Sequence, residues 1–258
     1  MLTEAQVDQF ESNGMLVLPK FLPEDQLKTS LKVIDGLQGD VAYTSKGRWD
    51  MRNCLPHHEI FTNLATDEKL LSTVEQLLSF NVKLLGSHIV KMKCASEANK
   101  LTVDWHRDGG TLSVELEEPL PPMFVKAAFC VSGSTEAESG ELLVVPGSHR
   151  LVGELPLNTE AQQPFGATRV TMSPGDLMIF DWRLWHAVSP NKSQVVRRTL
   201  YLAYGFRWLA PMDYVQMPSD LMEKSPVHRQ ILGGKSSQLG HYLPTEEDVP
   251  LQALSLDD

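Results

Sequence analysis

The sequence is short of cysteine, of positive charge and of long apolar runs, and each shortage excludes a class of protein. Its 258 residues include three cysteines with no CxxC pair, which fits free thiols in a reducing compartment better than a disulfide framework. Because 33 acidic residues outnumber 23 basic ones, neither nucleic acid nor anionic membrane is an expected partner. No apolar run approaches the ~20 residues of a membrane helix, and the N-terminus lacks the segments of a signal peptide. These absences predict a cytoplasmic protein and leave its oligomeric state open.

The first third of the chain carries helical patterns. Thr3 to Gln6 has the spacing of a capping box, and Gly14 supplies a stop for the first helix. A second helix is expected to begin at Pro23. A further amphipathic helix, capped by Thr66 or Asp67, carries an apolar stripe that is most simply explained by packing on a sheet.

After Asn81 the pattern changes to short apolar runs separated by Gly, Pro, Asn and Ser. Strands without intervening helices predict an antiparallel sandwich or barrel. The polar tail beyond Ala210 is expected either to lie over the barrel mouth or to be partly disordered. We expect one domain with a helical buttress over residues 3–80, a barrel core over 81–208 and a tail over 209–258. The predicted strands are 15–19, 82–93, 101–106, 123–132, 141–145, 168–172, 177–181 and 195–208.

A histidine and an aspartate stand two residues apart in residues 103–110, Val-Asp-Trp-His-Arg-Asp-Gly-Gly. Side chains alternate along a strand, so His106 and Asp108 would point the same way and close on one metal ion. The best third ligand is His186, which follows the apolar run 177–180. Two histidines and one carboxylate leave three positions open, as in non-haem Fe(II) oxygenases. An HxD pair alone is a weak signal among eight histidines and 33 acidic residues, and the alternative is a solvated surface strand.

A second signal lies eleven residues after His186, where Arg197 interrupts an apolar strand. Burying an unpaired guanidinium is very costly, so Arg197 requires an anionic partner. A bound dicarboxylate would serve, because the planar guanidinium takes a carboxylate through two parallel hydrogen bonds.

In these motifs and their order, the chain resembles the phytanoyl-CoA dioxygenase family of Fe(II)/2-oxoglutarate oxygenases over roughly residues 2–208. The resemblance implies a mainly β fold with N-terminal helices, built as a double-stranded β-helix, a cupin-like jelly-roll barrel with the metal inside one end. The matching stretches are 2–3, 14–18 with 21–22, Trp105-His106-Arg107-Asp108, the turn at 140–149, Pro174-Gly175-Asp176, and His186 with Asn191, Ser193 and Arg197-Arg198.

The resemblance also implies roles for individual residues. His106, Asp108 and His186 would hold Fe(II). Arg197 would bind the distal carboxylate of the cosubstrate 2-oxoglutarate, and Arg198, on the opposite face of the strand, is the second choice for that role.

Two further positions bear on the cosubstrate. In the family a strand runs beside it, so Ile89 or Lys91 would line its pocket, with ordinary strand packing as the alternative. The family often has a serine two residues after the distal histidine that helps to hold the cosubstrate. Here that residue is Val188 and the serine is Ser189, so either a shifted contact or a missing hydrogen bond is expected.

The reaction implied by the resemblance consumes O2 and 2-oxoglutarate, releases succinate and CO2, and oxidises a C–H bond of a small organic substrate, such as an amino-acid derivative or natural-product intermediate. Related halogenases have a small residue in place of Asp108, so hydroxylation, desaturation or cyclisation is expected. A net charge of -10 makes a CoA thioester an awkward substrate. The alternative function is a non-catalytic cupin-like metal-binding protein, against which Arg197 argues.

Overall fold

The computed structural model describes residues 1–37, 43–44, 47–95, 103–110, 112–133, 135, 137–158, 163–213 and 219–254. The helices are α1 Glu4–Asn13, α2 Glu24–Gly36, α3 Glu59–Ala65, α4 Glu68–Leu77, α5 Leu112–Glu115, α6 Ser219–Met222, α7 Pro226–Ile231 and α8 Leu251–Leu254, with short 3-10 helices at Leu55–His57, Ser148–Arg150 and Glu246–Asp248. The strands are β1 Met15–Leu18, β2 Arg48–Arg52, β3 Val82–Met92, β4 Phe124–Ser132, β5 Leu142–Val144, β6 Leu157–Asn158, β7 Gln163–Pro164, β8 Thr168–Val170, β9 Leu177–Asp181, β10 His186–Val188 and β11 Arg197–Phe206.

The helix ends follow the local sequence signals. The Thr3 side chain accepts from the Gln6 backbone N–H, while the Gln6 side chain accepts from the Thr3 N–H, which confirms the predicted capping box. Gly14 ends α1 in the left-handed conformation, with φ of 74°. Asp67 caps α4 by accepting from the Leu70 N–H.

The strands form two antiparallel sheets that face each other. The larger sheet has the order β1-β9-β4-β11-β3-β2, and the smaller one has the order β10-β5-β8. Their inner faces share one apolar cluster, and β6 pairs with β7 in a separate ribbon. This architecture is the expected jelly-roll barrel, mainly antiparallel sheet with a few helices. The inner cluster includes Val90, Met92, Ala128, Leu142, Val144, Met178, Phe180 and Tyr201.

The outer face of the larger sheet is covered by helices. Residues that alternate with the inner ones, such as Ile89, Phe129 and Leu200, belong to a second core cluster. The apolar sides of α1 to α4 complete this cluster through residues such as Phe61 and Leu70. The strand period of two therefore divides the large sheet between a barrel interior and a helix-packed exterior.

The C-terminal tail differs from the prediction. Residues 219–254 neither lie over the barrel mouth nor lack structure, because α7 packs on β3 on the outer side of the large sheet. Ile231 and Leu251 join the outer core cluster, and Gln230 donates hydrogen bonds to the Phe80 and Val82 carbonyls. Within the described ranges, no helix has the length and apolarity that crossing a membrane requires.

A buried charge pair anchors this tail. The fully buried Arg207 guanidinium donates to the carbonyls of Gly240 at 2.8 Å and Gly234 at 2.9 Å, and lies 3.5 Å from Asp248. Burial alone would raise the pKa of Asp248, but hydrogen bonds from Ser236 and Thr245 outweigh it and hold the pKa well below its usual range.

We expect Asp248→Asn to lower the free energy of unfolding at pH 7 by roughly 3 kcal/mol, because it leaves Arg207 buried without an anion. Glu247, the exposed residue before Asp248, gives the control: Glu247→Gln should change the free energy of unfolding by no more than about 0.5 kcal/mol. Because the folded-state pKa is depressed, the stabilisation is present at neutral pH and is lost as pH falls below about 4, the ordinary aspartate value. Urea unfolding should therefore show a difference in the free energy of unfolding between wild type and Asp248→Asn that becomes smaller in acid. Equal free energies of unfolding at pH 7 would contradict this prediction.

Candidate metal centre

Three side chains converge beside β10, of which His186 is buried, Asp108 half-buried and His106 exposed. His106, Asp108 and His186 each offer one ligand atom, and these atoms lie within 4.8 Å of one another. His186 Nε2 is 3.8 Å from Asp108 Oδ2, and the two imidazole centroids are 4.4 Å apart. Two imidazoles and one carboxylate in this arrangement suit a non-haem iron ion with open coordination positions.

The backbone brings these residues together by a different route from the one predicted. Residues 103–105 form no strand, residues 101 and 102 lie outside the described residues, and His106 pairs only through an isolated bridge. The His106 N–H donates to the His186 carbonyl and the His186 N–H donates back, each at 2.9 Å. The Asp108 N–H donates to the Trp182 carbonyl at 2.9 Å. The cluster thus depends on pairing with the β9–β10 connection, not on a strand of its own.

Both imidazoles present the same nitrogen to the cluster. His106 Nδ1 is 3.0 Å from the Asp104 carbonyl oxygen, and His186 Nδ1 is 2.9 Å from the Leu184 carbonyl oxygen. Carbonyls only accept hydrogen bonds, so each Nδ1 carries the proton and each Nε2 keeps its lone pair for a metal. Burial lowers the pKa of His186 to about 4, so this ring is neutral at physiological pH, as a metal ligand must be.

The carboxylate of the cluster is kept ionised by a lysine. Burial alone would raise the pKa of Asp108, but Lys126 and His186 outweigh it and the pKa is lowered. Lys126 Nζ lies 3.0 Å from each Asp108 oxygen. Lys126 is not among the residues predicted from the sequence, although a cation at an inward position of an apolar strand is the same signal that identified Arg197.

Arg197 lies on the inner face of β11 and is only 7% exposed. Its Nη1, like the Thr199 Oγ1, is buried with no hydrogen-bond partner among the described residues. Glu141 lines the same pocket, but its carboxylate already accepts hydrogen bonds from Ser139 and Ser189. Two unpaired donors in one pocket fit the distal carboxylate of a dicarboxylic acid. The remaining walls include Cys130, Gly133, Leu142, Val170 and Met172.

Three predicted cosubstrate residues lie on the wrong face of the sheet. Ile89 packs in the outer core, and Lys91 Nζ donates to the Leu37 carbonyl at 3.0 Å. Arg198 Nε donates to Asp35 of α2 at 2.6 Å. Strand alternation turns all three towards the helices, so they do not line the pocket.

Their neighbours occupy the inner face. Val90 and Met92 are the β3 residues that belong to the inner cluster. At the position of the family's serine, Val188 packs against that cluster, while the Ser189 hydroxyl donates to Glu141 at 2.7 Å. The serine shifted to position 189 is therefore engaged by Glu141, which itself lines the Arg197 pocket.

The chain matches a known protein family over most of its length. The sequence model described as phytanoyl-CoA dioxygenase (PhyH) matches residues 10–199. The chain belongs to the phytanoyl-CoA dioxygenase family. A curated relative, ectoine dioxygenase of Halomonas elongata, is 28% identical over 239 residues, covering 80% of this chain and 70% of the relative. Dioxygenase lolE1 of Epichloe uncinata is 27% identical over 250 residues, covering 87% of this chain and 88% of the relative.

Solved structures show the same fold. HygX from Streptomyces hygroscopicus, with nickel and 2-oxoglutarate bound, has a TM-score of 0.65 at 18% identity, covering 86% of this chain and 94% of HygX. The phytanoyl-CoA dioxygenase family member described here is a non-haem oxygenase that depends on Fe(II), 2-oxoglutarate and O2. The predicted double-stranded β-helix is confirmed, and the non-catalytic metal-binding alternative is not supported.

The turn after Asp108 leaves no room for a side chain at Gly109. Gly109 has φ of +91°, and a Cβ there would stand 2.9 Å from Trp182 Cε3, whereas a Cβ on Gly110, with φ of +58°, would meet open space. We expect Gly109→Ala to lower the free energy of unfolding by roughly 2 kcal/mol, from backbone strain and the clash. It should also weaken Fe(II) binding, because Asp108 is the preceding residue. Thermal unfolding and metal titration of both alanine variants test this; equal effects of Gly109→Ala and Gly110→Ala would contradict it.

Proposed function

We propose that this oxygenase hydroxylates a C–H bond of a small organic substrate, with His106, Asp108 and His186 as the Fe(II) ligands and Arg197 as the anchor of 2-oxoglutarate. One observation carries the proposal: an unpaired buried guanidinium and a cluster of two imidazoles and a carboxylate lie inside the same barrel. A purely structural metal site has no need for the guanidinium.

The ligands are prepared before any metal binds. Carbonyl oxygens hold both Nδ1 protons, so no tautomer change is needed for the two Nε2 atoms to coordinate. Lys126 keeps Asp108 ionised. When bound, Fe(II) with 2-oxoglutarate and O2 supplies an oxidant for a C–H bond, leaving succinate and CO2 as coproducts.

Arg197 and Thr199 orient the cosubstrate. The guanidinium offers a planar pair of donors and the Thr199 hydroxyl offers another, so a distal carboxylate would satisfy both buried groups at once. The apolar inner residues Met92 and Phe180 exclude water from the barrel interior, which strengthens these charged hydrogen bonds.

The proposed substrate is small. The Halomonas relative is named for ectoine, and HygX has also been solved with hygromycin B. An acidic chain with a net charge of -10 gives no long-range attraction for a polyanion.

The metal and cosubstrate roles are tested by anaerobic titration with Fe(II) and 2-oxoglutarate, following the visible metal-to-ligand charge-transfer band. We expect a band in wild type and none in His186→Ala. Arg197→Met should raise the half-saturating 2-oxoglutarate concentration about 30-fold, from the loss of roughly 2 kcal/mol of charged hydrogen bonding. Arg198→Met, its neighbour on the outer face, should shift it less than about two-fold, within the usual effect of a surface change. No band in folded wild-type protein, or equal effects of the two arginine variants, would refute the assignment.

The reaction outcome needs a separate assay. Small polar molecules, beginning with ectoine, are screened for their ability to raise the rate of succinate release above the substrate-free rate. The masses of the products are measured by mass spectrometry. Hydroxylation predicts a product heavier than its substrate by one oxygen atom. A product that has instead lost two hydrogen atoms would show desaturation or cyclisation and contradict the proposal.

A further inference from the structure

The metal cluster touches a fourth side chain, the charged Lys126, which supplies no ligand atom. Lys126 Nζ lies 3.0 Å from both oxygens of Asp108, and its side chain is 15% exposed. A metal bound to Asp108 would take up one of the two carboxylate oxygens that Lys126 Nζ now contacts. Lys126 would then have N–H donors available for a further ligand in the barrel.

Strand register places Lys126 away from the cosubstrate anchor. Lys126 pairs with Ala203 on β11, six residues from Arg197, which corresponds to about 20 Å at ~3.3 Å per residue. Across β9, Lys126 pairs with Phe180, whose ring lies 5.1 Å from that of His186. The metal cluster is therefore at the Lys126 end of the inner face. A cosubstrate anchored on Arg197 approaches the cluster from the other end.

The groups beside Lys126 are polar but supply no second anion from the described strands. Its Nζ lies 5.4 Å from the ring centroid of Tyr201, whose hydroxyl makes no hydrogen bond to a described residue. His88 stacks on Tyr201 at 4.7 Å, and burial, reinforced by the Lys126 charge, holds the pKa of His88 well below its usual range. The β2 carboxylate Asp50 is paired with Arg48 at 2.6 Å. Lys126 thus stands beside a free phenol and a neutral imidazole.

With Fe(II) and 2-oxoglutarate bound, the Lys126 ammonium would be a positive charge in excess. The positive charges of Fe(II) and Arg197 are matched by Asp108 and the two carboxylates of 2-oxoglutarate. Glu141 is matched by Arg169 at 3.9 Å. Lys126 then shares Asp108 with the metal, and a largely buried cation whose charge is only partly matched is unfavourable.

We propose that Lys126 recognises a carboxylate of the substrate, so that the substrate class is small organic acids and zwitterions. This inference rests on the proposed function, because it requires the metal and 2-oxoglutarate to occupy the positions assigned above. Lys126 becomes a specificity-determining residue on the side of the cluster opposite Arg197.

The experiment measures binding without turnover. The Fe(II)·2-oxoglutarate complex is prepared under nitrogen and titrated with two matched pairs, acetate against acetamide and benzoate against benzamide, while the charge-transfer band is followed. In wild type the acids should perturb the band saturably, at concentrations at least about ten-fold below the amides, as one charged hydrogen bond predicts. Lys126→Met should remove this preference and Lys126→Arg should retain it. Lys91→Met, which removes a lysine from the outer face of a strand in the same sheet, should behave as wild type.

Each failure has a separate meaning. A wild-type band with no saturable acid effect, or an acid preference that persists in Lys126→Met, would overturn this inference and leave the proposed function standing. If Lys126→Met forms no band because Asp108 has lost its support, Lys126→Arg decides. A Lys126→Arg protein that forms the band without preferring the acids would overturn substrate recognition, and one that keeps the preference would support it. A wild-type protein that forms no band would overturn the proposed function and this inference together.

Discussion

Two backbone hydrogen bonds between His106 and His186 are the constraint on which the site depends. They join a segment without regular structure to β10 and set the two imidazoles 4.4 Å apart. A third bond, from the Asp108 N–H to the Trp182 carbonyl, fixes the carboxylate against the same stretch of chain. Because β10 itself pairs with β5 of the small sheet, the ligand set inherits the rigidity of the barrel.

Strand alternation separates chemistry from support on the large sheet. On β11, Arg197 faces the barrel unpaired, while the adjacent Arg198 pairs with Asp35 of α2. On β3, Val90 faces inward, while Lys91 reaches the Leu37 carbonyl. One shift of register would exchange these roles, so the packing of α1 to α4 on the outer face indirectly determines which cation faces the barrel interior.

Burial and charge act together in the centre. Burial keeps the His186 ring neutral, while Lys126 prevents the same burial from protonating Asp108. The two unpaired donors, Arg197 Nη1 and Thr199 Oγ1, are costly in the protein alone and become favourable only when an anion binds. A barrel that carries such uncompensated groups gives up stability for binding, as functional sites commonly do.

Local and periodic features are predictable from the sequence alone: the Thr3 capping box, the boundaries of β9, the mainly antiparallel class and the residue types of the cluster. These depend on neighbouring residues or on a pattern of fixed period, which one chain displays directly. Four features depend on the folded chain: His106 lies outside any strand, Ile89, Lys91 and Arg198 face the helices, Lys126 contacts Asp108, and the tail packs outside the barrel. Each of these is a contact between segments distant in the chain, set by inter-strand register and by packing between layers, and neither quantity is written in local sequence.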